Sequence, residues 1–234
     1  MALILNIETA TSVCSVSLTN ENEILAIRES SEVNSHARVV AVFIDEILKE
    51  TGVDKRQLDA VAVSKGPGSY TGLRIGVSTA KGLCYALDKP LIGISTLESM
   101  ACGMKQKSKE LSFQLPVLYV PMIDARRMEV YTAVFDEQLQ VVSETAASVI
   151  TGDSFNDLLA GYHLIIAGDG ADKCREVLHH PNITFQDNFT VSSAYMNQIA
   201  QRQFHSGAFE DVAYFEPFYL KDFIAGKPKV KGLF

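Results

Sequence analysis

Only four cysteines occur in the 234 residues, Cys14, Cys84, Cys102 and Cys174, and no two of them form a CxxC. Spacing this wide supports neither a zinc site nor a secreted disulfide framework, and a reducing cytoplasm fits it best. Long apolar runs are missing too. Nothing approaches the roughly 20 residues of a membrane-spanning helix, and the apolar opening Ala2 to Ile7 is stopped by Glu8 with no basic stretch ahead of it, so it reads as a first strand rather than a signal peptide. Basic charge is scarce: 21 Lys and Arg face 28 Asp and Glu, a net charge of −7. A surface that grips nucleic acid needs clustered cations, so any link to RNA is indirect. The one basic string, Lys227, Lys229 and Lys231, reads as a solvated tail.

Catalytic signatures are absent as well. The histidines are His36, His163, His179, His180 and His205, and no two stand three or four apart on a helix to share a metal. There is no G-x-S-x-G for a nucleophile and no Gly-Lys-Ser/Thr ending for a P-loop. Neither a catalytic residue nor a metal ligand is therefore assigned.

What is present is order. Strands are predicted at Leu3 to Ile7, Val13 to Leu18 and Ile24 to Arg28, with a turn at 20–22, then a helix from about Ser35 to Lys49. Ala60 to Val63 is the next strand; Gly66-Pro67-Gly68-Ser69 stops it, Ser69 or Thr71 caps a helix to Leu87, and Leu91 to Ile94 and a helix from about Thr96 to Lys107 follow. The pattern then restarts with strands at Val117 to Ile123, Val130 to Phe135 and Leu139 to Val142, a helix near Ser154 to Leu159 and a strand at Leu164 to Ala167. Helices at Ala171 to Leu178 and Ser192 to Phe204 complete it. This order predicts an α/β protein of two lobes, 1–108 and 109–234, each with a mixed sheet and crossover helices.

Three segments carry candidate sites. Glu8 and Thr9 end the first strand and could meet a cation or a phosphate; Gly168-Asp169-Gly170 repeats the strand-turn-helix logic and could lie under an adenosine, with plain turns as the alternative in both places. In the glycine helix, Gly72, Gly76, Thr79, Leu83 and Ala86 form a stripe of mostly small residues beside the apolar stripe, which implies another backbone packed close. With Val40, Phe43 and Ile47 of the preceding helix, that stripe is the candidate partner interface; packing within the chain is the alternative.

Five strings in order, ILNIETATSVCSVSL, SKGPGSYTGLRIGVSTAKGL, PLIGISTLE, DARRMEVY and EPFYLKD, closely resemble the TsaB (YeaZ) family, partner proteins in the bacterial assembly that makes threonylcarbamoyladenosine in tRNA. Glu8 stands where that family more often has aspartate. The resemblance implies an actin-like fold of the kind shared by sugar kinases and chaperone ATPases. It also implies a non-catalytic subunit that binds a TsaD-like catalytic partner, is helped by a TsaE-like ATPase, meets tRNA only indirectly, and forms a homodimer when alone. No cofactor is expected to bind tightly, although ATP or ADP could occupy a vestigial cleft. In the related TsaD the strand after the glycine helix leads into a His-Met-Glu-Gly-His metal motif, and here that stretch reads Thr96-Leu97-Glu98-Ser99-Met100. Two alternatives stand beside this reading: an independent enzyme, either an actin-like nucleotide hydrolase or a glycoprotease-like metallopeptidase, and a module that senses ATP or ADP.

Overall fold

The computed structural model describes residues 2–21, 23–32 and 35–221, so Lys227, Lys229 and Lys231 lie outside the described residues. The first lobe is built on β1 (Leu3–Glu8), β2 (Cys14–Asn20), β3 (Glu23–Ser30), β4 (Ala60–Gly66) and β5 (Leu91–Ser95), in the order β3-β2-β1-β4-β5. The second uses β6 (Val117–Asp124), β7 (Glu129–Phe135), β8 (Val141–Val149), β9 (His163–Ala167) and β10 (Ile183–Phe185), in the order β10-β9-β6-β7-β8. Read from the other edge, the second order is the first one repeated. In each lobe the first three strands pair antiparallel and the last two join in parallel. This is the two-lobed, mixed-sheet α/β architecture that the actin-like reading describes.

The central strands are apolar on both faces because both are covered. On the outer face of the first sheet, Leu5, Ile7, Val61 and Val63 meet Val40, Ile44 and Ile47 of α1 (His36–Thr51) and Val77, Ala80 and Cys84 of α2 (Tyr70–Leu87). Ser69 caps α2 by accepting from Gly72 N–H at 3.3 Å, and Gly52 closes α1 in the left-handed conformation, φ 67°.

The inner faces are covered crosswise. Leu97, Met100, Ala101 and Met104 of α3 (Thr96–Lys107) pack on Tyr119, Ile123 and Ala133 of the second sheet. Conversely, α5 (Asn197–Ser206) and the turn before it lay Met196, Ile199 and Ala200 on Ile4, Ala60, Ala62 and Ile92 of the first. Each lobe thus lends its last helix to the other across the boundary expected at residue 108.

The structure departs from the expected elements mainly in the second lobe. The helix expected at Ala171 to Leu178 is one 3-10 turn, Asp172–Cys174, and α4 spans only Asn156–Leu159. Leu139, expected in a strand, sits at φ 59° in a turn closed by Asp136, whose carboxylate accepts from Gln138 and Gln140 N–H at 2.8 Å; β8 starts two residues later and runs nine residues. With α4 so short β8 is left exposed along most of its length, and the register shifts where it pairs with β7, irregularities that blunt a free edge. Among the described residues no helix is long and apolar enough to cross a membrane.

Candidate functional site

The C-terminal ends of β1 and β4 in one lobe and of β6 and β9 in the other carry all the loop chemistry marked in the sequence. At the end of β1, Glu8 is 1% exposed. Its Oε1 accepts from Ala10 N–H at 2.6 Å, Ser64 stands beside it, and Oε2 has no partner among the described residues. Burial pushes this carboxyl up to about 7, against the smaller opposing pull of its hydrogen bonds to Ala10, Ser64 and Thr9. Burial, together with the Glu8 charge, also pushes the Cys14 thiol up to about 11. With the side chain 1% exposed and Oε2 sealed from solvent, Glu8 presents no carboxylate oxygen to the surface.

Thr9 explains the small residues of α2. A Cβ on Gly72 would overlap Thr9 O, and one on Gly76 would overlap Thr9 Oγ1. The close backbone inferred from the stripe exists, and it is the chain's own. Four of the eight residues expected at a partner interface are buried in the chain: Val40 (3% exposed) and Ile47 (0%) in the core, Gly72 and Gly76 against Thr9. They cannot themselves touch a partner. Phe43, Thr79 and Leu83 are half-buried and Ala86 is exposed, so the outward face of the two helices is narrower and lies toward the C-terminal half of α2.

The glycine turns are likewise fully occupied. Gly66 has φ 111° and Gly168 φ 114°, matching positions in the two repeats where other residues are strained. A Cβ on Gly68 would strike Ala10, and one on Gly170 would lie 2.8 Å from the Ile123 carbonyl carbon. Ser69 N–H, which could have met an anion, donates to Ala10 O at 2.6 Å. Asp169 is held by Asp124 N–H at 3.0 Å, and its carboxyl is raised above the ordinary range mainly by burial. The open depression of about 420 Å³ beside it is lined by Asp169, Asp172 and Asp187 with Arg175 as its cation. Arg175 is already paired there with Asp172 and Asp187.

The Asp124–Glu129 turn joins β6 to β7 with Arg126 and Arg127 both left-handed, φ 70° and 52°. Asp124 pairs with Lys173 and Glu129 with Lys221, which supplies the turn's ion pairs. At the stretch matching the metal motif, Thr96 is fully buried, Met100 (1% exposed) packs on the Gly168 turn, and Glu98 pairs with Arg202 at 2.6 Å. Among the described residues no group of three or more His, Cys, Asp or Glu is placed to hold a metal.

A family profile described as "TsaD: tRNA N6-adenosine threonylcarbamoyltransferase" matches residues 23–232. The "tRNA threonylcarbamoyladenosine biosynthesis protein TsaB" of Escherichia coli is 31% identical over 231 residues, covering 96% of both chains, and that of Haemophilus influenzae is 30% identical over 96% of this chain and 95% of its own. The solved structure of YeaZ from Pseudomonas aeruginosa superposes with a TM-score of 0.82 at 23% identity, over 94% of this chain and all of that one, which shows the fold. With the profile spanning most of its length and TsaB relatives matching it end to end, the chain belongs to the TsaB family, the tRNA threonylcarbamoyladenosine biosynthesis proteins.

Proposed function

We propose that this chain is the non-catalytic partner subunit of a threonylcarbamoyl-transferring assembly, and that it binds a TsaD-like catalytic subunit through the outward faces of α1 and α2. One observation carries this reading. The two helices cover the first sheet with their inner faces, yet keep apolar groups on the outside: Val42 is 49% exposed and Tyr85 86%, and Ala86 is exposed on the same helix as Tyr85. Exposed apolar groups on helices already packed on one face are what a protein interface would use. The same face is self-available, so a homodimer forms when the partner is absent. A TsaE-like ATPase would join the assembly formed with the partner, and tRNA would be contacted by that assembly rather than by this acidic chain.

Ala86→Arg tests this. The site is exposed, so the thermal midpoint should fall by only a few degrees while co-purification with a TsaD-like subunit from the same source drops at least tenfold. Undiminished co-purification of the folded variant would overturn the interface. Against the independent-enzyme reading, the isolated chain should hydrolyse ATP far more slowly than the roughly one turnover per second of an ordinary kinase, because no P-loop Lys follows either glycine turn and both turns are closely packed by other parts of the chain. Turnover at that rate, lost in Glu8→Ala, would restore the enzyme reading.

A further inference from the structure

The Asp124–Glu129 turn carries Asp124 and Glu129 at its ends and Arg126 and Arg127 between them, a sequence in which the four would be expected to pair with one another. They do not. Asp124 is taken by Lys173, which also donates to Glu129 O at 2.8 Å, and the Glu129 carboxylate is taken by Lys221. Lysines from distant parts of the chain thus neutralise both acids, and the Arg126 and Arg127 side chains have no ion-pair or hydrogen-bond partner among the described residues. Both arginines are exposed, and both hold the left-handed backbone that residues other than glycine avoid, φ 70° and 52°. The shoulders of the turn keep them there. Ala125 N–H donates to Glu129 O at 3.1 Å, Glu129 N–H to Arg126 O at 3.2 Å, and Arg126 N–H to the Asp124 carboxylate at 3.0 Å. A backbone outlier enforced in this way is grounds for a functional hypothesis. Apolar surface lies beside the two guanidinium groups: Met128 is 38% exposed, and Val149, 64% exposed, is the register partner of Glu129 on β8.

We propose that Arg126 and Arg127, with Met128 and Val149, form a docking point for a protein surface that presents paired carboxylates beside an apolar side chain. Charge complementarity selects the occupant. A guanidinium freed from internal partners is a planar fork that matches a carboxylate, and arginine and methionine are among the residues that protein interfaces enrich. Nucleic acid fits less well, because two free cations on a chain of net charge −7 are fewer than a phosphate backbone requires, and a backbone contact makes no use of Met128 or Val149. The turn belongs to the second sheet, whereas α1 and α2 cover the first, so this docking point is separate from the partner face proposed above and does not rest on it.

The full chain alone suffices for the test. A synthetic peptide of glutamate pairs separated by leucines should bind wild type in calorimetric titration, and at least about fivefold more weakly when salt is raised from about 0.05 M to about 0.5 M, as exposed charge pairs do. The same peptide with glutamine in place of glutamate should not bind. Arg126→Asn/Arg127→Asn removes both guanidinium groups and supplies a residue that tolerates left-handed backbone, so its thermal midpoint should equal or exceed that of wild type while peptide affinity falls at least about fivefold. Arg126→Gln/Arg127→Gln, with the same loss expected, serves if the asparagine variant does not fold. Three results would overturn the proposal: an acidic peptide that fails to bind wild type, binding that survives the loss of glutamate or is equal in the folded arginine variants, or a single-stranded RNA of the same net charge that binds more tightly than the peptide and is lost in those variants.

Discussion

Glu8→Gln is expected to stabilise the protein at alkaline pH and to leave it nearly unchanged at pH 4.5. The carboxyl rises from 4.5 in the unfolded chain to about 7 in the folded one, chiefly through burial. The folded state therefore keeps a proton that the unfolded chain gives up. Stability from this group is present in full below pH 4.5 and is lost as pH rises through about 7, where it has cost about 3 kcal/mol. A glutamine keeps an oxygen for Ala10 N–H and carries no charge to desolvate, so the variant should lack this loss. Urea unfolding of both proteins at pH 5, 6, 7 and 8 reads it directly: the gap should open with pH and level off above 8. Asp169, also raised by burial, tilts the wild-type curve in the same direction and cancels in the comparison. A gap that does not change with pH would mean that Glu8 is ionised in the fold, and the description of its site would be wrong.

The second large effect is expected at α2. Gly76→Leu and Gly72→Ala should each destabilise the monomer by about 3 kcal/mol or more, at the upper end for overpacking, because the obstruction at Gly72 is the backbone oxygen of Thr9, which cannot rotate aside. The signature is loss of folding in the isolated chain, seen as a lower thermal midpoint and faster proteolysis, and not merely loss of a partner. A Cβ on Gly82 of the same helix would meet nothing within 4 Å. Gly82→Ala should accordingly be neutral or stabilise by up to about 1 kcal/mol, since alanine restricts the unfolded chain. If Gly76→Leu instead folds normally and only fails to associate, the stripe faces a partner after all.

These two sites show what could be read from the sequence and where the reading stopped. The strand at Ala60, the cap at Ser69 and α3 from Thr96 to Lys107 were all legible, since periodicity, turn residues and caps are properties of neighbouring residues. So was the demand for a close backbone along Gly72 and Gly76. Which backbone meets it was not, because Thr9 lies more than 60 residues away and is brought to α2 only when β1 and β4 pair. The reduced helices of the second lobe were overread for a related reason. Ala171 to Leu178 has helical composition, yet the packing of Gly168 and Gly170 on the end of β6 and the quick return to β10 leave room for a single turn.

Sequence by itself determined the repeated strand order, the absence of metal-ligand spacing, the acidic balance and, through five strings in order, the family. Those features are local or cumulative along the chain. Tertiary structure alone decided that Glu8 is sealed from water, that Val40 and Ile47 serve the core while Ala86 faces outward, and that Lys221 pairs with Glu129 of the second lobe. Each of these depends on which distant surface arrives opposite a residue. A carboxylate's proton affinity, a glycine's necessity and a lysine's partner are set by that neighbour, through desolvation, excluded volume and charge, and not by the residues on either side.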